Sequence, residues 1–132
     1  MNDRPTGVEL LRAVERFLEQ EVVPVLDGPR RYHARVAANV VAIVAREIET
    51  EEAQLLAEWE RLGALLALRE DRPGARDELR DAVAARTRAL VERIRRGDAD
   101  QGAWRAELVA HLRRTVADKL AVSRPPRASR EG

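Results

Sequence analysis

The chain contains no cysteine, only one lysine (Lys119) among its 24 basic residues, and only 3% aromatic residues in 132. Without cysteine it can form neither disulfides nor thiolate sites, so its fold does not depend on oxidation. Because large aromatic side chains are so few, the core must consist mainly of leucine, valine, isoleucine and alanine. This composition favours helices. The aromatic residues are Phe17, Tyr32, Trp59 and Trp104.

The chain also lacks an excess of charge of either sign. Its 24 basic and 23 acidic residues give a net charge of +1, whereas binding to a phosphate backbone needs a strongly basic face. We therefore expect no nucleic-acid partner. The preference for arginine over lysine, together with abundant alanine, indicates the codon usage of a GC-rich bacterial genome.

Long apolar segments are missing as well. The longest apolar run, residues 36–45, is about half the length of a membrane span and contains Asn39. The first residues, MNDRPTG, include no apolar signal region. We expect a cytoplasmic protein that does not contact a membrane.

Motifs for catalysis and cofactor binding are absent from the sequence. Neither His33 nor His111 has a second histidine three or four residues away, and the Glu-x-x-His pattern of di-iron bundles does not occur. The only serines, Ser123 and Ser129, lie at the C-terminal end, and no glycine-rich phosphate loop is present. The sequence therefore predicts no catalytic residue, no cofactor and no metal, and a protein that is not an enzyme.

Helical periodicity and punctuation predict five helices. The first begins at the capping box Thr6-Gly7-Val8-Glu9, and Pro24 interrupts it after Val22. Further helices are expected at about residues 29–49, from the N-cap Thr50 to about 72, at 75–96 with Gly97 as the stop, and at 101–122 with a cap from residues 98–100. The predicted fold is all-α, a single five-helix bundle or orthogonal helical domain over residues 1–122 without strands. Residues 123–132, SRPPRASREG, are predicted to be a disordered tail.

The second predicted helix is apolar around most of its circumference. Successive residues are separated by about 100°, which places one large apolar set on a single half-cylinder and indicates a central, heavily buried helix. A strip of small residues, Ala34, Ala38, Ala42 and Ala45, runs beside it and would allow a neighbouring helix to approach closely. The half-cylinder comprises Tyr32, His33, Val36, Ala37, Val40, Ile43, Val44 and Ile48.

Five polar residues within this helix are the candidates for ligand or partner binding. His33, on the apolar half, is expected to be partly buried and either to bond another helix or loop, or to face a ligand pocket. Glu47 is expected to pair with an arginine of another helix. Arg35, Asn39 and Arg46 share one stripe, which is either a solvated or salt-bridged face, or a site for a carboxylate or phosphate.

The two tryptophans lie on the apolar stripes of their helices. Trp59 and Trp104 either anchor the core or face a partner, because exposed tryptophan is frequent at interfaces. Apolar stripes on every predicted helix are also compatible with a homodimer.

Several stretches resemble an uncharacterised bacterial all-helical family, catalogued as a domain of unknown function. They are RPTGVELLRAVERFLEQEVVPVL at residues 4–26, YHARVAANVVAIVARE at 32–47, RLGALL at 61–66 and DKLAVSRP at 118–125. Genes of that family are commonly found beside aminoglycoside-phosphotransferase-like kinases and acyl-CoA dehydrogenases. The resemblance therefore implies an accessory role, with a kinase-like or acyl-CoA dehydrogenase protein as partner. It assigns no role to His33, Arg35, Asn39, Arg46 or Glu47.

Two functions are compatible with these observations. The first is a non-catalytic helical accessory protein that interacts with other proteins. The alternative is a binding domain for an anionic small metabolite, such as an acyl-CoA or a phosphorylated compound, held by Arg35, Asn39 and Arg46 with His33 at one end.

Overall fold

The computed structural model describes residues 3–124, which form helices and no β-strand. Four α-helices follow one another along the chain: α1 Gly7–Phe17, α2 Gly28–Leu66, α3 Arg76–Arg95 and α4 Ala103–Ser123. A π-helical turn, Leu18–Val22, and a 3-10 turn, Val23–Val25, separate α1 from α2. The prediction of an all-helical chain is confirmed.

The predicted number of five helices is wrong, because the second and third predicted helices are one helix, α2. Thr50 does not cap a new helix; its hydroxyl donates to the Arg46 carbonyl one turn earlier, at 2.8 Å. A threonine bonded in this way is satisfied inside a helix and does not interrupt it. Glu51, expected near a helix N-terminus, instead forms ion pairs with Arg76 and Arg80 of α3.

The chain divides into two compact units, Met1–Thr50 and Glu51–Gly132. In the first unit the predicted capping box is present: the Glu9 amide donates to the Thr6 hydroxyl, and the Thr6 amide donates to the Glu9 carboxylate, both at 3.2 Å. The regular helix ends before Pro24, as predicted, since proline has no amide hydrogen to donate.

In residues 29–49 of α2, the predicted burial is wrong for Ala37 and for five large apolar residues, whereas Ile43 is half-buried and the alanine strip is packed as predicted. Ala34, Ala38, Ala42 and Ala45 are buried, and Ala45 is completely so, at 0% exposure. Val40, in the middle of the predicted core face, is 51% exposed. A small side chain allows close approach to the helix backbone, so the alanines occupy the packed side and the larger residues lie on the open side. The exposed large residues on α2 are Tyr32, Val36, Val40, Val44 and Ile48.

The core of the second unit is a cluster of leucines, valines and one tryptophan contributed by α2, α3 and α4. Trp59 is buried there, and Trp104 packs at the edge of the cluster with its Nε1 donating to the Leu65 carbonyl at 2.9 Å. Both tryptophans are thus core anchors. The buried members are Trp59, Leu62, Leu65, Leu79, Val83, Leu90 and Leu108.

One arginine lies inside this core. Arg86 of α3 is only 5% exposed; its Cζ lies 4.1 Å from the centroid of the Trp59 ring, and its Nη1 donates to the Trp59 carbonyl. A Cβ atom on Gly63 would lie 2.6 Å from that Nη1. Glycine at position 63 is therefore what allows the guanidinium to approach α2.

Helix α3 ends close to the predicted position, whereas α4 begins later than predicted. Gly97 follows the last turn of α3 with a φ of +90°, which glycine adopts without strain. Asp98 pairs with Arg93 at 3.0 Å instead of capping α4, whose N-cap is Gly102. Helix α4 ends at Ser123, and residues 125–132 of the predicted tail lie outside the described residues. The single domain over residues 1–122 stays a prediction.

Candidate functional site

Three of the five predicted site residues line one cavity in the first unit. Its volume is about 480 Å³, and its walls include Arg35, Asn39 and Arg46 of α2. They lie along one face of the helix beside the buried alanines Ala38 and Ala42. The other residues lining the cavity come from the N-terminal segment and are Glu15, Glu19 and Val23.

The two glutamates of this cavity were not among the predicted site residues. Their spacing of four residues is the only sequence signal that could have found them, because it places both on one helix face. Glu15 accepts from Arg12 Nη1 at 2.8 Å, and Arg12 Nη2 also bonds Glu49 at 3.2 Å. The hydrogen bonds that Arg12 donates to these two carboxylates raise its pKa.

The cavity is therefore lined by charges of both signs. Arg35 and Arg46 would attract an anion, and the Asn39 amide could donate to it. Glu15 and Glu19 face the same space and oppose the approach of negative charge. This lining fits a polar or zwitterionic group better than a strongly charged phosphate.

His33 and Glu47 do not line this cavity. The His33 side chain is exposed, in edge contact with the Tyr32 ring at a centroid distance of 5.8 Å. Glu47 is also exposed and forms no ion pair with another described residue. The expected burial of His33 and the expected pairing of Glu47 are wrong, because this side of α2 is open.

That open side also carries a row of large apolar residues, which we call the α2 strip: Tyr32, Val36, Val40, Val44 and Ile48. Each residue follows the previous one by four positions, and all five are exposed. Tyr32, at 66%, is the most exposed. On the other side of the same helix are the buried alanines, so this half of α2 is apolar on two opposite faces.

A second cavity lies in the other unit, between α2 and α4. It has a volume of about 400 Å³ and includes Arg61 of α2 and His111 of α4 in its walls. His111 is 7% exposed, and its burial, with a smaller effect from the charge of Arg61, lowers the pKa of the imidazole. The sequence analysis did not single out either residue as part of a site, because they lie fifty positions apart and in different helices.

Within residues 3–124 there is no group of three or more histidine, aspartate or glutamate side chains placed to hold a metal ion. None of the four helices, over the same residues, combines the length and the apolar character that a membrane crossing needs.

Over residues 3–124 these features define an all-helical protein with an open apolar face on α2 and a cavity in each unit. The family model for a domain of unknown function, DUF6285, matches residues 24–126, and the chain belongs to that family. The match includes α2, α3 and α4, whereas α1 lies before it. No curated protein and no solved structure matches the chain.

Proposed function

We propose that this protein is a non-catalytic helical accessory subunit that forms a homodimer through the α2 strip. The observation that carries the proposal is the exposure of a row of large apolar residues on a helix whose opposite face is already buried. An apolar face of a helix is normally packed against another surface, and here only one of the two apolar faces of α2 is. We therefore infer that a second protein surface packs against the exposed face of α2.

The spacing of the strip favours a second copy of the same chain. Residues four positions apart form one continuous ridge along a helix. Two such ridges interdigitate when the helices cross at about −50°, the commonest packing class. In a two-fold dimer the same surface is used by both copies, so the α2 strip supplies both ridges.

The exposed area of the strip forms the central part of such an interface. It leaves roughly 450 Å² of surface exposed, taking about 150 to 250 Å² for a large side chain. That is about half of the roughly 800 Å² per partner that is common in specific interfaces. The polar residues around the strip would supply the rest.

Two alternatives to a dimer through the α2 strip are less suitable. The first is that residues 125–132 cover the strip, but this segment, PPRASREG, contains no large apolar side chain. The second is a dimer through α4. Helix α4 has an exposed apolar row of its own, but Arg105 and Arg113 line the grooves beside it. In a symmetric dimer built on α4, these charges would face their own copies and repel.

The accessory role itself is supported by the resemblance and by the absence of a nucleophile or cofactor motif in the sequence. The resemblance implies a kinase-like or acyl-CoA dehydrogenase protein as the partner of the dimer, in the cytoplasm of a bacterium. Co-expression with such a neighbouring protein, followed by purification through a tag on one chain, would measure whether a stoichiometric complex forms.

Replacing Val40 by glutamate is expected to convert the dimer into a monomer. The dimer would bury the new carboxylate twice, so association should weaken by at least about a hundredfold. Light scattering coupled to size exclusion should give twice the 14.8 kDa chain mass for the natural protein and the single mass for Val40→Glu. Val25→Glu is the matched control, since Val25 is 77% exposed and lies outside the strip.

A natural protein that is monomeric at micromolar concentration would refute the homodimer. A dimer that survives Val40→Glu but dissociates on Val116→Glu would place the interface on α4 and also contradict the proposal.

The second candidate function is the binding of an anionic metabolite in the cavity of Arg35, Asn39 and Arg46. It is favoured by the convergence of these three side chains on one cavity. Its mixed lining makes it the weaker candidate, because Glu15 and Glu19 face the same space.

For this candidate, acetyl-CoA or inorganic phosphate at a hundredfold excess over its dissociation constant would stabilise the fold by about 2.7 kcal/mol. A thermal-shift assay measures this stabilisation as a rise in Tm. Arg35→Gln should abolish the rise, whereas Arg31→Gln, an exposed change on the same helix outside the cavity, should leave it intact. Equal shifts in the two variants would exclude binding at this cavity.

A further inference from the structure

The open side of α4 carries a row of large apolar residues, which we call the α4 row: Val109, Leu112, Val116 and Leu120. Each of them is at least 37% exposed. They follow one another at intervals of three, four and four residues, so they lie along one face of the helix. This is the spacing with which one helix packs against another. The α4 row therefore has the pattern of a helix-binding surface.

Two open grooves border the α4 row. Their volumes are about 410 and 300 Å³, and Val109 and Arg113 line both of them. Every residue in their walls belongs to α4 or is its N-cap, Gly102. Helices pack when the side-chain ridges of one enter the grooves of the other. A helix of another molecule would therefore meet both a ridge and grooves on α4 alone.

The charged residues of α4 that lie beside this row are all basic. They are Arg105, Arg113 and Lys119, which the helical period of about 100° per residue places next to the row, and all three are exposed. Within residues 3–124 none of them forms an ion pair. Arg105 donates to a backbone carbonyl, that of Asp100, at 3.4 Å. These cations are available to the carboxylates of a partner.

The two acidic residues of α4 lie on its other side. Glu107 lines the cavity that includes Arg61 of α2, and the Asp118 carboxylate lies 3.7 Å from the same arginine. Both are therefore directed towards α2 and away from the α4 row. An acidic helix would meet no like charge from α4 at this surface, whereas a basic helix would be repelled.

Two other occupants fit the α4 row less well. In a symmetric pair of copies, Arg105 and Arg113 would face their own counterparts and repel each other. A membrane surface is the other, but lipid-binding segments usually carry about four to eight basic residues and often insert tryptophan or phenylalanine. The α4 row has three basic neighbours and consists of valine and leucine.

We propose that the α4 row docks an amphipathic helix of another protein, whose own apolar stripe is flanked by glutamate or aspartate. The apolar side chains of that helix enter the two grooves, and its carboxylates pair with Arg105, Arg113 and Lys119. The inference rests on the accessory role proposed above and deepens it by naming the chemistry of the partner. It does not involve the α2 strip, so docking and dimerisation can be measured separately.

Two synthetic peptides of about three heptads test this docking by fluorescence anisotropy with the full chain. Both have leucine at the two core positions of each heptad and the same alanine and glutamine residues at the outer positions. The acidic peptide has glutamate at the two flanking positions, and the basic peptide has lysine there. The labelled acidic peptide should bind saturably and more weakly in about 1 M sodium chloride, because salt screens the flanking ion pairs. The basic peptide should not bind.

Substitutions of the full chain then locate the binding surface. Val116→Glu should weaken binding of the acidic peptide by at least about tenfold, because it places a carboxylate in the apolar contact. Arg113→Glu should weaken the acidic peptide and let the basic peptide bind. Arg88→Glu makes the same change in charge at an exposed position of α3 and should leave both results as in the natural protein.

Failure of the acidic peptide to bind would overturn the proposal, and so would equal binding of the two peptides. Sedimentation of the chain with vesicles of phosphatidylserine and phosphatidylcholine, if Val116→Glu abolished it, would assign the α4 row to a membrane surface instead. Light scattering separates this inference from the homodimer, because Val116→Glu should leave the dimer mass unchanged. Loss of peptide binding by a chain that still dimerises would reject the docking surface alone.

Discussion

Ala45→Glu is expected to lower the free energy of unfolding by at least about 4 kcal/mol, or to prevent folding. Ala45 is completely buried on the packed side of α2. A glutamate there needs space that the packing does not provide, and it buries a carboxylate without a partner. Urea denaturation followed by circular dichroism measures the loss.

Ala53→Glu is the matched control for this prediction. It makes the same change on the same helix, and Ala53 is exposed and lies outside the α2 strip. Its free energy of unfolding should stay within about 0.5 kcal/mol of that of the natural protein, as for most surface substitutions. Equal losses in the two variants would contradict the burial of the alanine strip.

Arg86→Ala is expected to lower the free energy of unfolding by about 3 kcal/mol, within the range for large buried side chains. The truncation leaves a space against the Trp59 ring and removes the hydrogen bond to the Trp59 carbonyl. The alkyl part of an arginine contributes packing as well as charge.

Arg86→Met separates these two contributions. Methionine fills much of the same volume, and it removes a buried charge whose Nε and Nη2 atoms have no hydrogen-bond partner in the described chain. The only ion pair of Arg86 there is with Glu70, which is largely exposed and 3.8 Å away. A buried charge with such weak compensation is often replaced without loss by an apolar residue. We therefore expect Arg86→Met to lie within about 1 kcal/mol of the natural protein, or to be more stable.

If Arg86→Met destabilised the protein as much as Arg86→Ala, the charge and its bond to Trp59 would outweigh the packing. Arg88→Ala, an exposed change two residues further along α3, should have little effect and serves as the reference.

Local signals in the sequence correctly predicted several features of the fold. The Thr6 and Glu9 capping box, the interruption at Pro24 and the stop at Gly97 all depend on a few adjacent residues. Their effects arise from backbone bonding and allowed torsion angles, which neighbouring residues control. The prediction of an N-cap at Thr50 is wrong, since a threonine can cap a helix or bond back into one, and the neighbouring residues do not distinguish the two.

The candidate sites could be predicted only in part. The helical period placed Arg35, Asn39 and Arg46 on one stripe, and the structure brings all three to one cavity. The helical period of α2 could not predict that Glu15 and Glu19 line the same cavity, because these two residues belong to the N-terminal segment. Arg61 and His111 likewise share a cavity only after α2 and α4 have packed.

The sequence by itself determined that this protein is helical, where α1, α2 and α3 begin, and which residues share a face of each helix. Only the tertiary structure decided which face is covered. Helix α2 has an alanine face and a valine and isoleucine face, and hydrophobicity favours burying the second. The alanine face is the one buried, because close packing depends on the shape of the surfaces that meet, and that shape is set by residues far away in the chain.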